Sequence, residues 1–409
     1  MQWADREKIR IGSSCCGFEI KGRIKGENMQ FVRTEDLKVG MRLARPIYNK
    51  NGVLLYERDS KLTQQGIVSI HNFGLIGLFV LEPAEPVPPM TQEDIEFERF
   101  QTVSVFAIQE ELTRITQTKK AQKTQMIVAS IIKSYGRLEH KINFIQSLRS
   151  KEDFIFKHTL NVAMLCAMMS KMLRFRMEEQ VELVTAAVLH DIGKLELPKE
   201  VIDKRDLSPQ EEDYVNAAVV SGFELIEDIF GSSPNIRRIC VQSQKGLSSL
   251  KEGKSIKDIK FVKGSKVMMA AGIFDEMTAM QMGRAPDSPV WALKFLLEHE
   301  DWFGYDVVDS LIRSINILSP GVCVELNTRE KGLVIRENEL DVLRPVILTF
   351  QNNEVFDLSI RAYDDVEIVD VMRTLDNRYI MDVETLKENG YYGRVPEFVE
   401  PTPQAQTGE

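Results

Sequence analysis

The stretch that decides the fold runs Val181-Glu182-Leu183-Val184-Thr185-Ala186-Ala187-Val188-Leu189-His190-Asp191-Ile192-Gly193-Lys194. Up to Leu189 it carries one charged residue and neither proline nor glycine. A helix that is apolar nearly all round is buried on several sides rather than lying at a surface. Because this one ends in His190, Asp191 and Lys194, those groups need partners: a buried, unpaired charge is costly. Gly193 permits a tight exit from the helix. A neutral imidazole and an ionised carboxylate are good ligands for a first-row divalent cation, and neighbours at a helix end can reach the same ion. An ammonium at Lys194 would then stand where it can neutralise phosphate charge. The same residues also suit a buried His–Asp hydrogen-bonded pair with no metal, and residue types alone do not separate the two.

Upstream, Asn161 to Met172 is again apolar nearly all round, and His158 stands at the start of that helix, 32 residues before His190. Helical patterning dominates residues 151–318. Residues 91–150 lack proline and place Phe97, Phe100, Val103, Phe106, Ile108, Leu112 and Ile115, then Met126, Ile127, Ile131 and Ile132, at helical spacing. Two connecting helices are expected there; the stripe is a core face or, less commonly, a dimer surface. Residues 83–90 form a proline-rich linker that neither helix nor central strand tolerates. Residues 29–82 alternate apolar runs with turn signals, a small α/β unit. Residues 1–28 are polar and unpatterned: an extension, disordered or preceding a true start at Met29. Downstream the period changes, since Val322, Val324 and Leu326 alternate with polar residues and a turn precedes Leu333 to Ile335, giving a hairpin. A β-containing region over 319–392 and a disordered tail over 393–409 complete a mainly α chain.

At 409 residues the chain exceeds one ordinary core, and 43% hydrophobic with 28% charged residues describes a globular protein. A net charge of −9 argues against a dedicated binder of long nucleic acid. The five cysteines lack C-x-x-C spacing, which fits a reducing compartment. No apolar run reaches the ~18 residues of a membrane span, and no signal peptide opens the chain. A cytoplasmic location is expected. The five histidines, His71, His140, His158, His190 and His299, bound any imidazole site. His71, His140 and His299 read as surface residues, so His158 and His190 remain.

These motifs resemble the HD superfamily of metal-dependent phosphohydrolases, in particular its HD-GYP branch. His158-Thr159-Leu160-Asn161-Val162-Ala163 is similar to the first metal-ligand helix. His190-Asp191-Ile192-Gly193-Lys194-Leu195 with Pro198 resembles the signature, and Gly222 the end of the next motif. Phe274-Asp275-Glu276-Met277-Thr278 is similar to a Phe-Asp-Ala-Leu-Thr block, and Asp36-Leu37-Lys38-Val39-Gly40-Met41 resembles the small N-terminal unit of such bacterial proteins. The resemblance implies an all-helical HD-type domain and a cytoplasmic signalling role in the hydrolysis of cyclic di-GMP at two or three ions, commonly iron or manganese.

The chain departs from that pattern in its ligands. The third metal histidine falls on Ala218, an adjacent histidine pair near Gln242 and Ser243, a glutamate on Gln244, and the final aspartate on Gly272; the Gly-Tyr-Pro triplet is absent. No histidine lies between His190 and His299, so a shifted alignment cannot recover the set. His158, His190 and Asp191 remain as metal ligands, with Asp191 and Lys194 as catalytic candidates. Lys194, Gln242, Gln244 and Arg284 remain as groups able to bind a ligand. Three ligands suit one metal with an open position but not a bridged pair. The expectation is therefore a degenerate HD-GYP-type signalling protein with one divalent cation (iron or manganese) or none. It would bind cyclic di-GMP or a related dinucleotide, a protein partner, or a second copy through residues 91–150, with little or no hydrolysis. The alternative is a phosphodiesterase using the reduced site at His158, His190 and Asp191.

Overall fold

The computed structural model describes residues 29–48, 52–57, 60–72, 77–81, 91–150, 152–198, 201, 208–254, 260–280, 286–350 and 354–371. The extension over 1–28, the linker over 83–90, the tail over 393–409 and Arg284 lie outside the described residues. The chain divides into two compact units between Asn316 and Ile317.

The first unit opens with a three-stranded antiparallel sheet of β1 (Met29–Arg33), β5 (Gly77–Leu81) and β2 (Arg42–Leu43), in the order β1-β5-β2. β3 (Ile47–Tyr48) and β4 (Leu54–Tyr56) pair separately, and α1 (Gln64–Asn72) precedes β5. Leu78 and Val80, two residues apart and hence on one face, join Val32, Leu43, Leu62 and Ile70 in a small core. α2 (Gln92–Thr118) starts with a reciprocal cap in which Thr91 and Asp94 each receive the other's backbone N–H. Its stripe is a core face: Phe97, Ile108, Leu112 and Ile115 are buried, while Phe106 is exposed. α3 (Thr124–Ser134) is anchored by the buried Glu111 of α2, whose carboxylate accepts from the backbone N–H groups of Gln122, Lys123 and Thr124.

Next come α4 (Phe154–Met172) and α5 (Met177–Leu189), joined by only a few residues and therefore an antiparallel pair. Leu160, Met164, Leu183 and Val184 have no exposed surface. Truncating any one of them to alanine should cost about 2–5 kcal/mol. A 3-10 turn over Ile192–Glu196 leads on to α6 (Pro209–Phe230), α7 (Pro234–Lys251), α8 (Lys263–Thr278), α9 (Pro289–Glu298), α10 (Glu300–Phe303) and α11 (Tyr305–Ile312). α6, α7 and α9 each begin on proline preceded by serine, the residue pair that suits a helix start, because proline lacks an N–H where none is needed.

The second unit contains a five-stranded antiparallel sheet in the order β10-β6-β7-β8-β9, from β6 (Cys323–Leu326), β7 (Lys331–Arg336), β8 (Val346–Thr349), β9 (Val355–Asp357) and β10 (Ile368–Val371). β6 and β7 form the hairpin expected from the change of period, with Cys323 opposite Leu333. The chain is thus mainly α, with small sheets toward both ends.

Candidate functional site

The antiparallel α4–α5 pair explains why two histidines far apart in sequence meet. His158 lies fourteen residues before Met172, and His190 thirteen residues after Met177. At ~1.5 Å per residue each arm is about 20 Å long, so the chain returns to the level at which it left. The ring centroids lie 5.3 Å apart. His158, His190 and Asp191 form the one group of potential metal donors found among the described residues, with one donor atom from each all within 4.8 Å of one another.

Hydrogen bonds fix how the two rings present themselves. His190 Nδ1 lies 2.7 Å from the carbonyl of Ala187, which can only accept, so Nδ1 carries the hydrogen and Nε2 keeps its lone pair. Burial lowers the His190 pKa, which favours this neutral form. His158 Nδ1 lies 2.6 Å from Asp275 Oδ2, an ionised acceptor, so its Nε2 also faces away from the bonded side. A carboxylate behind a histidine is the arrangement that orients metal-binding imidazoles. His190 Nε2 lies 3.6 Å from Asp191 Oδ1.

Asp275 is itself held in place. It has no exposed surface, and its Oδ1 accepts from Arg149 Nη2 (2.5 Å), Asn161 Nδ2 (2.9 Å) and Gln146 Nε2 (3.1 Å). Burial pushes its carboxyl up, but the Arg149 guanidinium and His158 outweigh this and hold it well below the usual carboxylate range. Arg149 is equally buried and lies over the Phe154 ring. Asn161, one turn beyond His158, also accepts from Gln101 of α2, so the connecting helix takes part in supporting the site.

Lys194 grips the other carboxylate. Its Nζ lies 2.8 Å from Asp191 Oδ1 and 2.9 Å from Oδ2. Burial pushes the Asp191 carboxyl up, but Lys194 and the two histidines hold it well below the usual range. Burial likewise pulls Lys194 down, and the Asp191 carboxylate, with Glu276 adding, more than offsets this. Asp191 is buried, whereas Lys194 is partly exposed.

The positions where the resemblance implies further ligands hold other groups. Ala218 is buried with its carbonyl against Gly193: a Cβ on Gly193 would lie 2.1 Å from that oxygen. Gly193 is therefore required by close approach of α6 rather than by a left-handed exit, since its φ is not among the positive ones. Gln242 accepts from the Val262 N–H at 2.8 Å and donates to the Lys260 carbonyl. Ser243 donates to the Ser265 carbonyl, so both residues tie α7 to the start of α8. Gln244 is half-buried. Gly272 is buried, and a Cβ there would meet nothing within 4 Å. The structure thus gathers His158, His190, Asp191 and Lys194, and engages Gln242 elsewhere.

Of the remaining histidines, His140 is exposed with Nε2 2.7 Å from Glu93 Oε1. His299, expected at an exposed helix end, is instead half-buried and stacked on Phe295. Arg149 escaped sequence reasoning because its partner Asp275 lies 126 residues away. Lone charges carry no local sign of burial.

Residues 143–307 match the HD domain family. No curated protein matches the chain. Among solved structures it is similar to Bd1817, an HDG"Y"P protein from Bdellovibrio bacteriovorus, at 11% identity and a TM-score of 0.39, over 69% of this chain and 98% of that one.

Proposed function

We propose that the HD domain of residues 143–307 is a single-cation binding module of HD-GYP type that takes up an anionic dinucleotide of the cyclic di-GMP class and signals through binding, with little or no hydrolysis. The observation that supports it is the use of the family's other ligand positions: Ala218 packs on Gly193, Gln242 and Ser243 tie two helices together, and Gly272 has no side chain. Only His158, His190 and Asp191 are left, and three donors suit one divalent cation but not a bridged pair.

The donors fit such an ion. Both imidazoles present Nε2, Asp275 and the Ala187 carbonyl hold the rings in that orientation, and Asp191 is ionised beside them. A bound cation, iron or manganese by the resemblance, would supply positive charge beside a phosphate group of the ligand. Lys194, partly exposed, adds an ammonium on the same side.

Calorimetric titration with cyclic di-GMP, together with chromatography of the nucleotide after prolonged incubation, tests this. Saturable binding with the nucleotide recovered intact is expected. Steady release of a linear dinucleotide that disappears in Asp191→Ala would instead establish a single-cation hydrolase, a second reading favoured by the preserved donor triad. Absence of binding would remove the dinucleotide.

A further inference from the structure

A second concentration of charge shares no residue with the His158, His190 and Asp191 donors. The chain carries a net charge of −9, yet residues 234–266 hold nine lysines and arginines against only Glu252 and Asp258. Some of these cations line a cavity of about 320 Å3 between the end of α6 and the start of α7. Phe230, Pro234 and Val241 supply its apolar lining, and Arg237, Arg238, Gln242 and Glu227 its polar lining. Its volume stands at the lower end of the ~300–1,000 Å3 of ligand pockets, which suits a small ligand.

The cavity follows one face of α7. Pro234, Arg238, Val241 and Lys245 succeed one another at steps of four, three and four residues, so they share a face, while Ile236, Ile239, Cys240 and Ser243 are buried. Gln242 brings in a further cation: its amide donates to the Lys260 carbonyl at 3.3 Å and accepts from the Val262 N–H at 2.8 Å, which fixes Lys260 next to a lining residue.

This charge is poorly balanced. Arg238, Lys245 and Lys260 are exposed, and their side chains have no ion-pair partner among the described residues. Glu227 is the single acid in the lining. Its Oε2 lies 2.9 Å from Arg237 Nε, yet that nitrogen, shielded from solvent, makes no hydrogen bond, so the carboxylate approaches off the N–H axis. α7 has no acidic residue in its first turn, and Arg237 and Arg238 are its fourth and fifth residues. The N-terminal end of a helix carries positive partial charge, which disfavours cations beside it. An anion in the cavity would relieve both the unused donor and the excess charge. A guanidinium presents a planar fork of donors that matches phosphate, and several cations against one carboxylate favour a dianion.

We propose that the α6–α7 cavity binds a small organic phosphate monoester: Arg237 and Arg238 hold the phosphate, Phe230, Pro234 and Val241 pack on the organic group, and Lys245 and Lys260 add positive field around it. This site is independent of the single-cation reading, because the two share no residue.

Calorimetric titration of the full chain with phenyl phosphate, in the presence of EDTA, tests it. Inorganic phosphate and benzoate serve as the comparison ligands, and thermal melting is followed for each variant. Saturable binding of phenyl phosphate is expected, with both comparison ligands weaker. Arg238→Gln should weaken it at least about tenfold, the loss of one charged hydrogen bond, with melting close to the wild type. Glu227→Gln should tighten it, since the competing carboxylate is gone, a result that a merely structural pair would not give. Lys133→Gln, an exposed cation on α3, should leave it unchanged. No saturable binding in EDTA, wild-type affinity in Arg238→Gln, or an equal loss in Lys133→Gln would overturn the site. Benzoate or inorganic phosphate binding as tightly as phenyl phosphate would overturn the class of ligand.

Discussion

Replacing Asp275 by asparagine tests the electrostatic support of the site. The carboxylate has no exposed surface, pairs with an equally buried Arg149 at 2.5 Å, and accepts from four side chains in all. Two nitrogens of Arg149, Nε and Nη1, already lack a hydrogen-bond partner. Neutralising Asp275 leaves that guanidinium buried without a counter-charge, and breaking a buried pair from one side typically costs about 3–5 kcal/mol. Against a total stability of roughly 5–15 kcal/mol, this is a large fraction.

Urea denaturation followed by tryptophan fluorescence measures it, since Trp291 and Trp302 both lie in the first unit. The midpoint should fall with the slope preserved. Replacing both partners by apolar residues, Asp275→Leu with Arg149→Met, should cost much less than the sum of the single changes. The pH dependence carries a sign: because the folded carboxyl lies below its ordinary value, its contribution is complete above the unfolded pKa, about 3.9, and is lost as pH falls below that. Asp275→Asn should lack this part of the acid sensitivity. A cost under about 1 kcal/mol, or strict additivity in the double variant, would refute the reasoning.

Two glycines should respond differently to alanine. At Gly193 the new methyl meets the Ala218 carbonyl at 2.1 Å, which is backbone and cannot yield without moving α6, so about 3 kcal/mol is expected; at Gly246 it meets the flexible end of Met269, and about 1 kcal/mol is expected. Equal losses in denaturation midpoint would show that close approach is not the reason for Gly193. Glu111→Gln should destabilise by about 2–3 kcal/mol, because the carboxylate accepts from three backbone N–H groups at the start of α3 and from Arg114. Faster amide exchange in residues 124–134 would register it; unchanged exchange would count against the cap. His158→Asn and His190→Asn should each abolish tight Mn2+ binding, and retention of wild-type affinity in either would exclude that residue as a ligand.

What could be read from the sequence was what is local. Helices apolar on all sides, His190 and Asp191 side by side, and the change of period at Val322 each lie within a short window, and the structure shows buried α4 and α5, the assembled donors and the β6–β7 hairpin. What escaped depends on partners distant in the chain. Gly193 looked like a helix exit, but its reason lies across a contact with Ala218. Arg149 and Asp275 look like ordinary surface charges until the fold pairs them, and Gln242 looks like a free hydrogen-bonding group until the Val262 backbone claims it.

The central claim is that the region matching the HD domain family, residues 143–307, holds one cation rather than a bridged cluster. Its most direct measurement is the Mn2+ content of the full chain after saturation and removal of free metal, by elemental analysis against protein concentration. One ion per chain, lost in Asp191→Ala, is the expected result. Two or more ions per chain, or none, would contradict it.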